Sequence, residues 1–232
     1  MNAPNPDIAT NLERVIERIR SAEVTYGRTP NSVSLLAVSK RQPVEAIRAA
    51  YQAGQLAFGE NYLQEAAEKQ STFASSDIEW HLIGSLQSNK TRAAATSFDW
   101  VHTIDRAKIA QRLSDQRPDA LPPINICLQV NISEETQKAG CPPVEVLPLA
   151  AATADLPGVS LRGLMAIPEP STDCTVQRRS FAKLRKLYEQ LQDEGFRMDT
   201  LSMGMSLDLD AAIAEGANYV RVGTAIFGPR NN

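Results

Sequence analysis

The sequence is poor in the residues that build metal and redox sites. Its 232 residues include two histidines, His81 and His102, and three cysteines, Cys127, Cys141 and Cys174. The histidines stand alone, and the cysteines match neither a zinc-ligand spacing nor a CxxC pair, which argues against a metal centre or a dithiol redox site. Reduced, structural cysteines are the expectation. An excess of positive charge is missing as well: 24 Lys and Arg face 27 Asp and Glu, leaving a formal charge of −3. A broad basic surface for nucleic acid needs the opposite balance, so no such partner is expected. No apolar run approaches the roughly 20 residues that cross a bilayer. The opening MNAPNPDIATNLERV lacks the charged start and apolar stretch of a secretory leader. With 43% hydrophobic and 22% charged residues, the composition is that of a globular chain rather than a disordered one. A cytoplasmic protein with one sizeable core and no membrane association is expected.

What the chain does have is a regular alternation of short apolar runs and amphipathic stretches. Ile8, Leu12, Val15, Ile16 and Ile19 recur at helical spacing until Gly27 and Pro30. Strands are expected at Val33–Ser39, Gln55–Phe58, Glu79–Gly84, Trp100–Ile104, Ile124–Ile132, Ser160–Ile167, Thr200–Met203 and Tyr219–Val222. Helices are expected between them: one opened by Pro43 and ended by Gly54, then Asn61–Gln70, Gln87–Ala95, Asp105–Arg117, Pro143–Ala154, Val176–Leu191 and Asp208–Ala214. Eight strands alternating with helices predict an α/β fold, a single-domain (β/α)8 TIM barrel over residues 1–232, with tails at 1–6 and 229–232. No Gly/Ser-rich linker divides the chain, and no GxGxxG follows the first strand as a doubly wound dinucleotide fold would require. No helix is expected after the eighth strand, and the N-terminal helix is expected to cover that gap.

In such barrels the chemistry gathers at the carboxyl ends of the strands. The loops after strands seven and eight read Ser202-Met203-Gly204-Met205-Ser206 and Arg221-Val222-Gly223-Thr224. Gly204 and Gly223 let a backbone approach an anion closely, and Ser206 and Thr224 carry hydroxyl donors. Either turn alone is ordinary; the two together, where barrels bind phosphate, point to a phosphate site. Lys40 directly follows the first strand. A lysine there is commonly a solvated loop charge, but in a barrel mouth desolvation favours its nucleophilic amine. Lysine plus phosphate site fits a Schiff base with a phosphorylated carbonyl compound, either pyridoxal 5′-phosphate (PLP) or a sugar-phosphate aldolase substrate. Strand alternation puts Arg221 on the side of Gly223. There it can meet a pyridine nitrogen or pair with a carboxylate at the rim.

Several motifs are longer and more specific. LLAVSKRQP, FGENYLQEAAEK, IEWHLIGSLQSNK, FDWVHTID, LRGLMAIP, LSMGMS and VRVGTAIFG resemble the pyridoxal-phosphate homeostasis protein family, in register from the first strand to Gly228. The resemblance implies a barrel like that of alanine racemase in single-domain form, PLP bound as a covalent aldimine to Lys40, and a role in vitamin B6 and amino-acid homeostasis without established turnover. By the same resemblance, Asn61 lies close to the cofactor ring, Ser206, Gly223 and Thr224 hold the phosphate, and Gly204 and Met205 supply backbone around it. Ser202 lines the same wall and Arg221 meets the pyridine nitrogen. The chain departs from the family pattern at Leu207, where an acidic residue follows GMS; Asp208 comes next. That position opens a helix, where a carboxylate suits the N-terminus, so the departure bears on the cap more than on the cofactor.

Three functions are weighed. The first is a non-catalytic PLP carrier or buffer, a monomer that hands cofactor to apo PLP-dependent enzymes in transient contacts. The second is an amino-acid racemase, which needs bases on both faces of the substrate carbanion. Tyr62, the tyrosine nearest the proposed mouth, is read as facing a helix interface, and the chain ends soon after the eighth strand. The third, a cofactor-free aldolase, does not account for the motifs. His81 is read as a barrel-wall histidine rather than a base, Met165 and Met203 as packing, and Lys138 as a solvated loop lysine, with a secondary contact on the ligand face as the alternative.

Overall fold

Asp7 opens the first helix, α1 (Ile8–Thr25), where its carboxylate accepts from the backbone N–H and the hydroxyl of Thr10. This is a helix cap of the ordinary kind. The structure, a computed structural model, describes residues 7–133 and 138–229; the expected tail at 1–6, and all but Pro229 of the one at 229–232, lie outside them. After α1 the chain alternates: β1 (Ser34–Val38), α2 (Val44–Gln52), β2 (Ala57–Glu60), α3 (Leu63–Thr72), β3 (Glu79–Leu82), α4 (Thr91–Ser97), β4 (Trp100–Ile104) and α5 (Ala107–Gln116). It continues with β5 (Ile124–Gln129), α6 (Val146–Ala151), β6 (Val159–Met165), α7 (Cys174–Asp193), β7 (Thr200–Ser202), α8 (Leu209–Ala214), β8 (Tyr219–Val222) and α9 (Thr224–Phe227). Among the described residues the eight strands are parallel, and β1 pairs with both β2 and β8, closing the barrel.

Two apolar regions hold it. Outward side chains of the strands, such as Leu35, Ala37, Phe58 and Val101, pack under the helices. Inside, Trp100, Cys127 and Met165 form a second cluster with Tyr219, drawn from four strands, which occupies part of the lumen. Gly163 is required where β6 meets β7, since a Cβ there would stand 1.8 Å from the Thr200 carbonyl oxygen.

The structure corrects some expected boundaries. β2 begins at Ala57 rather than Gln55, because Gln55 N–H closes α2 on the Ala50 carbonyl (3.0 Å) after Gly54 takes a positive φ. β5 stops at Gln129, with only an isolated bridge from Val130 to Cys141 beyond it. A helix does follow β8: the four-residue α9, too short to show a periodicity. α1 still covers this sector, where Asn11 donates to the Ile226 carbonyl at 3.1 Å. Cys127 and Cys141 are free and buried, but Cys174 is exposed at the start of α7, so packing explains two of the three thiols. Lys138 is half-buried with Nζ withdrawn from solvent, not a solvated loop lysine.

Candidate ligand site at the open end of the barrel

Parallel pairing sets the site. β7, β8, β1 and β2 are consecutive neighbours, so the residues after them share one arc at the carboxyl end. That arc carries Gly204–Ser206, Gly223–Thr224, Lys40 and Asn61. Gly223 faces the first strand so closely that a Cβ would lie 3.1 Å from the Val38 carbonyl oxygen. Asn61 is held from the other side, because a Cβ on Gly84 would fall 2.1 Å from the Asn61 carbonyl oxygen. Its side-chain Oδ1 is buried without a hydrogen-bond partner among the described residues, an unmet demand that buried polar atoms rarely carry.

Lys40 stands on a braced turn. Beneath it, the buried Lys69 of α3 donates from Nζ to the Ser39 carbonyl oxygen (2.7 Å), to Glu60 Oε1 (2.7 Å) and to Glu65 Oε1 (2.6 Å). The Ser39 hydroxyl donates to Glu60 Oε1 at 2.6 Å. On the far side of Lys40, Arg41 adopts a left-handed φ of 59° and its N–H donates to Glu65. Both neighbours of Lys40 are therefore tied to one charged cluster. Burial pushes the Glu60 carboxyl above the ordinary carboxylate range, against the opposing pull of Lys69 and the Ser39 hydroxyl. Sequence reasoning missed this cluster, although the i, i+4 spacing of Glu65 and Lys69 is a readable signal.

The loop after β7 is tied as tightly. Gly204 has a φ of 92°, and a Cβ there would meet Ala212 at 2.5 Å. Met205 N–H donates to Asp208 Oδ1 at 2.6 Å, and the Ser206 carbonyl accepts from Arg18 of α1 at 2.7 Å. Asp208 is thus the residue that tethers the loop, with its carboxyl raised by burial. Leu207 is 84% exposed. The hydroxyls of Ser206 and Thr224 remain at the surface of the arc, half-buried and exposed. α9 begins on Gly223, and among the described residues no backbone carbonyl takes the N–H groups of Thr224 and Ala225. Free N–H groups of this kind open every helix.

Arg221 and Ser202 lie deeper, in the lumen below the arc. Arg221 is 4% exposed, and its guanidinium donates from Nη1 to Ser202 Oγ (2.8 Å) and from Nη2 to the Ala166 carbonyl (2.9 Å). Burial brings its pKa down to about 10, partly offset by Asp208. Arg221 is thus no rim arginine paired with a carboxylate. Ser202 Oγ is in turn 2.9 Å from His102 Nδ1, so its hydroxyl supports Arg221 rather than the phosphate arc. Tyr62, expected at a helix interface, is 51% exposed at the start of α3. That is a correction: Tyr62 precedes the first turn of α3 in extended backbone, outside the helix face that packs on the barrel.

Comparison with known proteins fixes the lineage. The sequence matches the family described as alanine racemase, N-terminal domain, over residues 11–231. It is 56% identical to the pyridoxal phosphate homeostasis protein of Pseudomonas aeruginosa, covering 97% of this chain and 96% of that one. The chain belongs to the pyridoxal phosphate homeostasis protein family. The member from Escherichia coli K12 is 50% identical, with 97% of both chains covered. Among solved structures, PipY of Synechococcus elongatus with PLP bound superposes on this homeostasis-family barrel with a TM-score of 0.84. It is 38% identical over 95% of this chain and all of that one. Alanine racemase of Clostridium difficile shares the fold at 12% identity and a TM-score of 0.75, and the match covers 58% of its length.

Proposed function

We propose that this protein binds PLP in the arc at the open end of the barrel and serves cofactor homeostasis in the cytoplasm, holding PLP and releasing it to apo-enzymes. In this reading Lys40 holds PLP as a Schiff base through its ε-amine. Asn61 lies against the ring, where its unmatched Oδ1 finds a partner. Ser206, Gly223 and Thr224, with the two leading N–H groups of α9, take the phosphate, and Gly204 allows the close approach. Met205 contributes its N–H only when Asp208 gives it up. Arg221 meets the pyridine nitrogen and Ser202 keeps it there.

The observation that carries the proposal is the meeting of Lys40, Asn61 and the two Gly-hydroxyl turns on four adjacent strand ends, above one buried arginine. The PLP-bound relative at 38% identity supports it. When bound, PLP supplies an electron sink for bonds at an amino acid's α-carbon. A permanently charged Arg221 against the ring nitrogen leaves that nitrogen unprotonated and weakens the sink. Binding and release need no such sink. The protein is therefore a carrier in this account rather than a racemase. The test is incubation of the PLP-loaded protein with an apo-enzyme, and separately with alanine in deuterated water. Activation of the apo-enzyme with retention of the alanine α-proton is expected. Multiple-turnover racemisation that disappears in Lys40→Ala would reject it.

A further inference from the structure

Arg221 is the upper end of a longer chain of buried groups. Ser202 Oγ contacts His102 Nδ1 at 2.9 Å, His102 Nε2 contacts His81 Nδ1 at 2.9 Å, and His81 Nε2 lies 2.6 Å from Glu79 Oε1. Both imidazoles are wholly buried in the lumen, and His81 stacks on Trp100 with ring centroids 5.4 Å apart and planes 8° apart. Glu79 is the first residue of β3, so it sits at the end of the barrel opposite the site, its side chain 42% exposed. The chain therefore runs the length of the lumen, from solvent at the closed end to Arg221 below the arc.

The direction of its protons follows from what each group can do. A guanidinium only donates, so Ser202 Oγ accepts from Arg221 and is free to donate its own proton to His102 Nδ1. His102 then carries its proton on Nε2 and donates to His81 Nδ1. His81 likewise carries its proton on Nε2, facing the Glu79 carboxylate, which only accepts. The last contact is a short charge contact rather than an aligned hydrogen bond in the structure. The opposite direction would set the bare Nε2 of His81 against a carboxylate. Burial, the neighbouring His81 and Arg221 all push His102 below the ordinary histidine range, and burial lowers His81 as well against the pull of Glu79, so both rings favour the neutral form. Oriented this way, every dipole turns its negative end towards the buried guanidinium.

We propose that Glu79 is a positioning residue for the ligand site: it fixes the direction of the Ser202–His102–His81 hydrogen-bond chain and thereby holds Arg221 in place. The inference deepens the proposed PLP function and rests on it for the ligand alone.

With two histidines in the whole chain, 15N-histidine NMR of untagged protein reports both rings. Before any PLP is added, both rings should be protonated at Nε2 and bare at Nδ1. Glu79→Leu should mix the tautomers at His81 and His102 together, and Glu79→Gln, whose amide oxygen accepts the same proton, should restore them. PLP release, followed by absorbance, should be several-fold faster in Glu79→Leu than in Glu79→Gln. An Nδ1–H tautomer at either ring of the wild type overturns the proposal. So does a Glu79→Leu effect confined to His81 with PLP release unchanged. Failure of the wild type to bind PLP would reject the proposed function, while the tautomers still decide the direction of the chain.

Discussion

Replacing Lys69 with methionine tests the brace beneath Lys40. Methionine keeps the length of the stem but removes the cation that Glu60, Glu65 and the Ser39 carbonyl share. The Lys69 and Glu60 side chains are 5% and 0% exposed, so no solvent discount applies to that pair. Glu65 is a quarter exposed and adds little. Breaking one side of a buried pair typically costs about 3–5 kcal/mol, because a charge is left behind. For a chain of 150–250 residues each kcal/mol lowers Tm by roughly 2–4 °C, which gives a fall of roughly 6–20 °C. The pH dependence carries the mechanism. Glu60 already sits above the ordinary carboxylate range through burial, and losing Lys69 raises it further. A carboxyl whose folded pKa exceeds its unfolded value binds more protons when folded, so stability falls as pH rises from the unfolded value through the folded one. The variant should therefore be least stable near neutrality and recover towards pH 4.5. Urea unfolding at several pH values, read by circular dichroism, makes the measurement. A loss below about 1 kcal/mol, which surface ion pairs give, or a loss independent of pH, would refute the buried-pair reasoning.

Other predictions follow from the site. Ser202→Ala strands a guanidinium hydrogen bond of the kind worth about 1.5–3 kcal/mol, so it should lower stability measurably, whereas Ser206→Ala at the half-buried arc should not; equal effects would contradict the lumen role of Ser202. Ser206→Ala and Thr224→Val should weaken retention of PLP more than of unphosphorylated pyridoxal in equilibrium dialysis, and equal losses for both ligands would remove the phosphate assignment. Gly84→Ala drives a Cβ into the Asn61 carbonyl; overpacking of that sort costs about 1–3 kcal/mol, and PLP affinity should fall with it because Asn61 moves. Unchanged affinity would place Asn61 outside the site.

The barrel was legible because each strand is a short apolar run set between amphipathic stretches, and closure follows once eight are counted. Boundaries were less so. Gln55 reads as strand by position, yet its N–H finishes α2, a hydrogen bond that no periodicity encodes. Lys40 and the turns at Gly204 and Gly223 were visible because the carboxyl ends of barrel strands have a known use. What lies below them was hidden for a different reason. Glu79, His81, His102, Ser202 and Arg221 come from four strands spread over more than half the chain, and only the closed lumen brings them together. His81 taken alone is a wall histidine, and its link to Arg221 exists only through His102 and Ser202. Lys69 was hidden by its helix, because nothing in the spacing of α3 shows that it is laid over the Ser39 turn.

The central claim is that PLP is held on Lys40. Borohydride reduction of the protein mixed with PLP, followed by peptide mapping, addresses it at the atom concerned. The account predicts one reduced adduct, on the peptide containing Ser39-Lys40-Arg41, with loss of the visible absorbance in Lys40→Ala while the circular dichroism is kept. A reduced adduct on another lysine, or a Lys40→Ala protein that binds PLP with an unaltered spectrum, would contradict it.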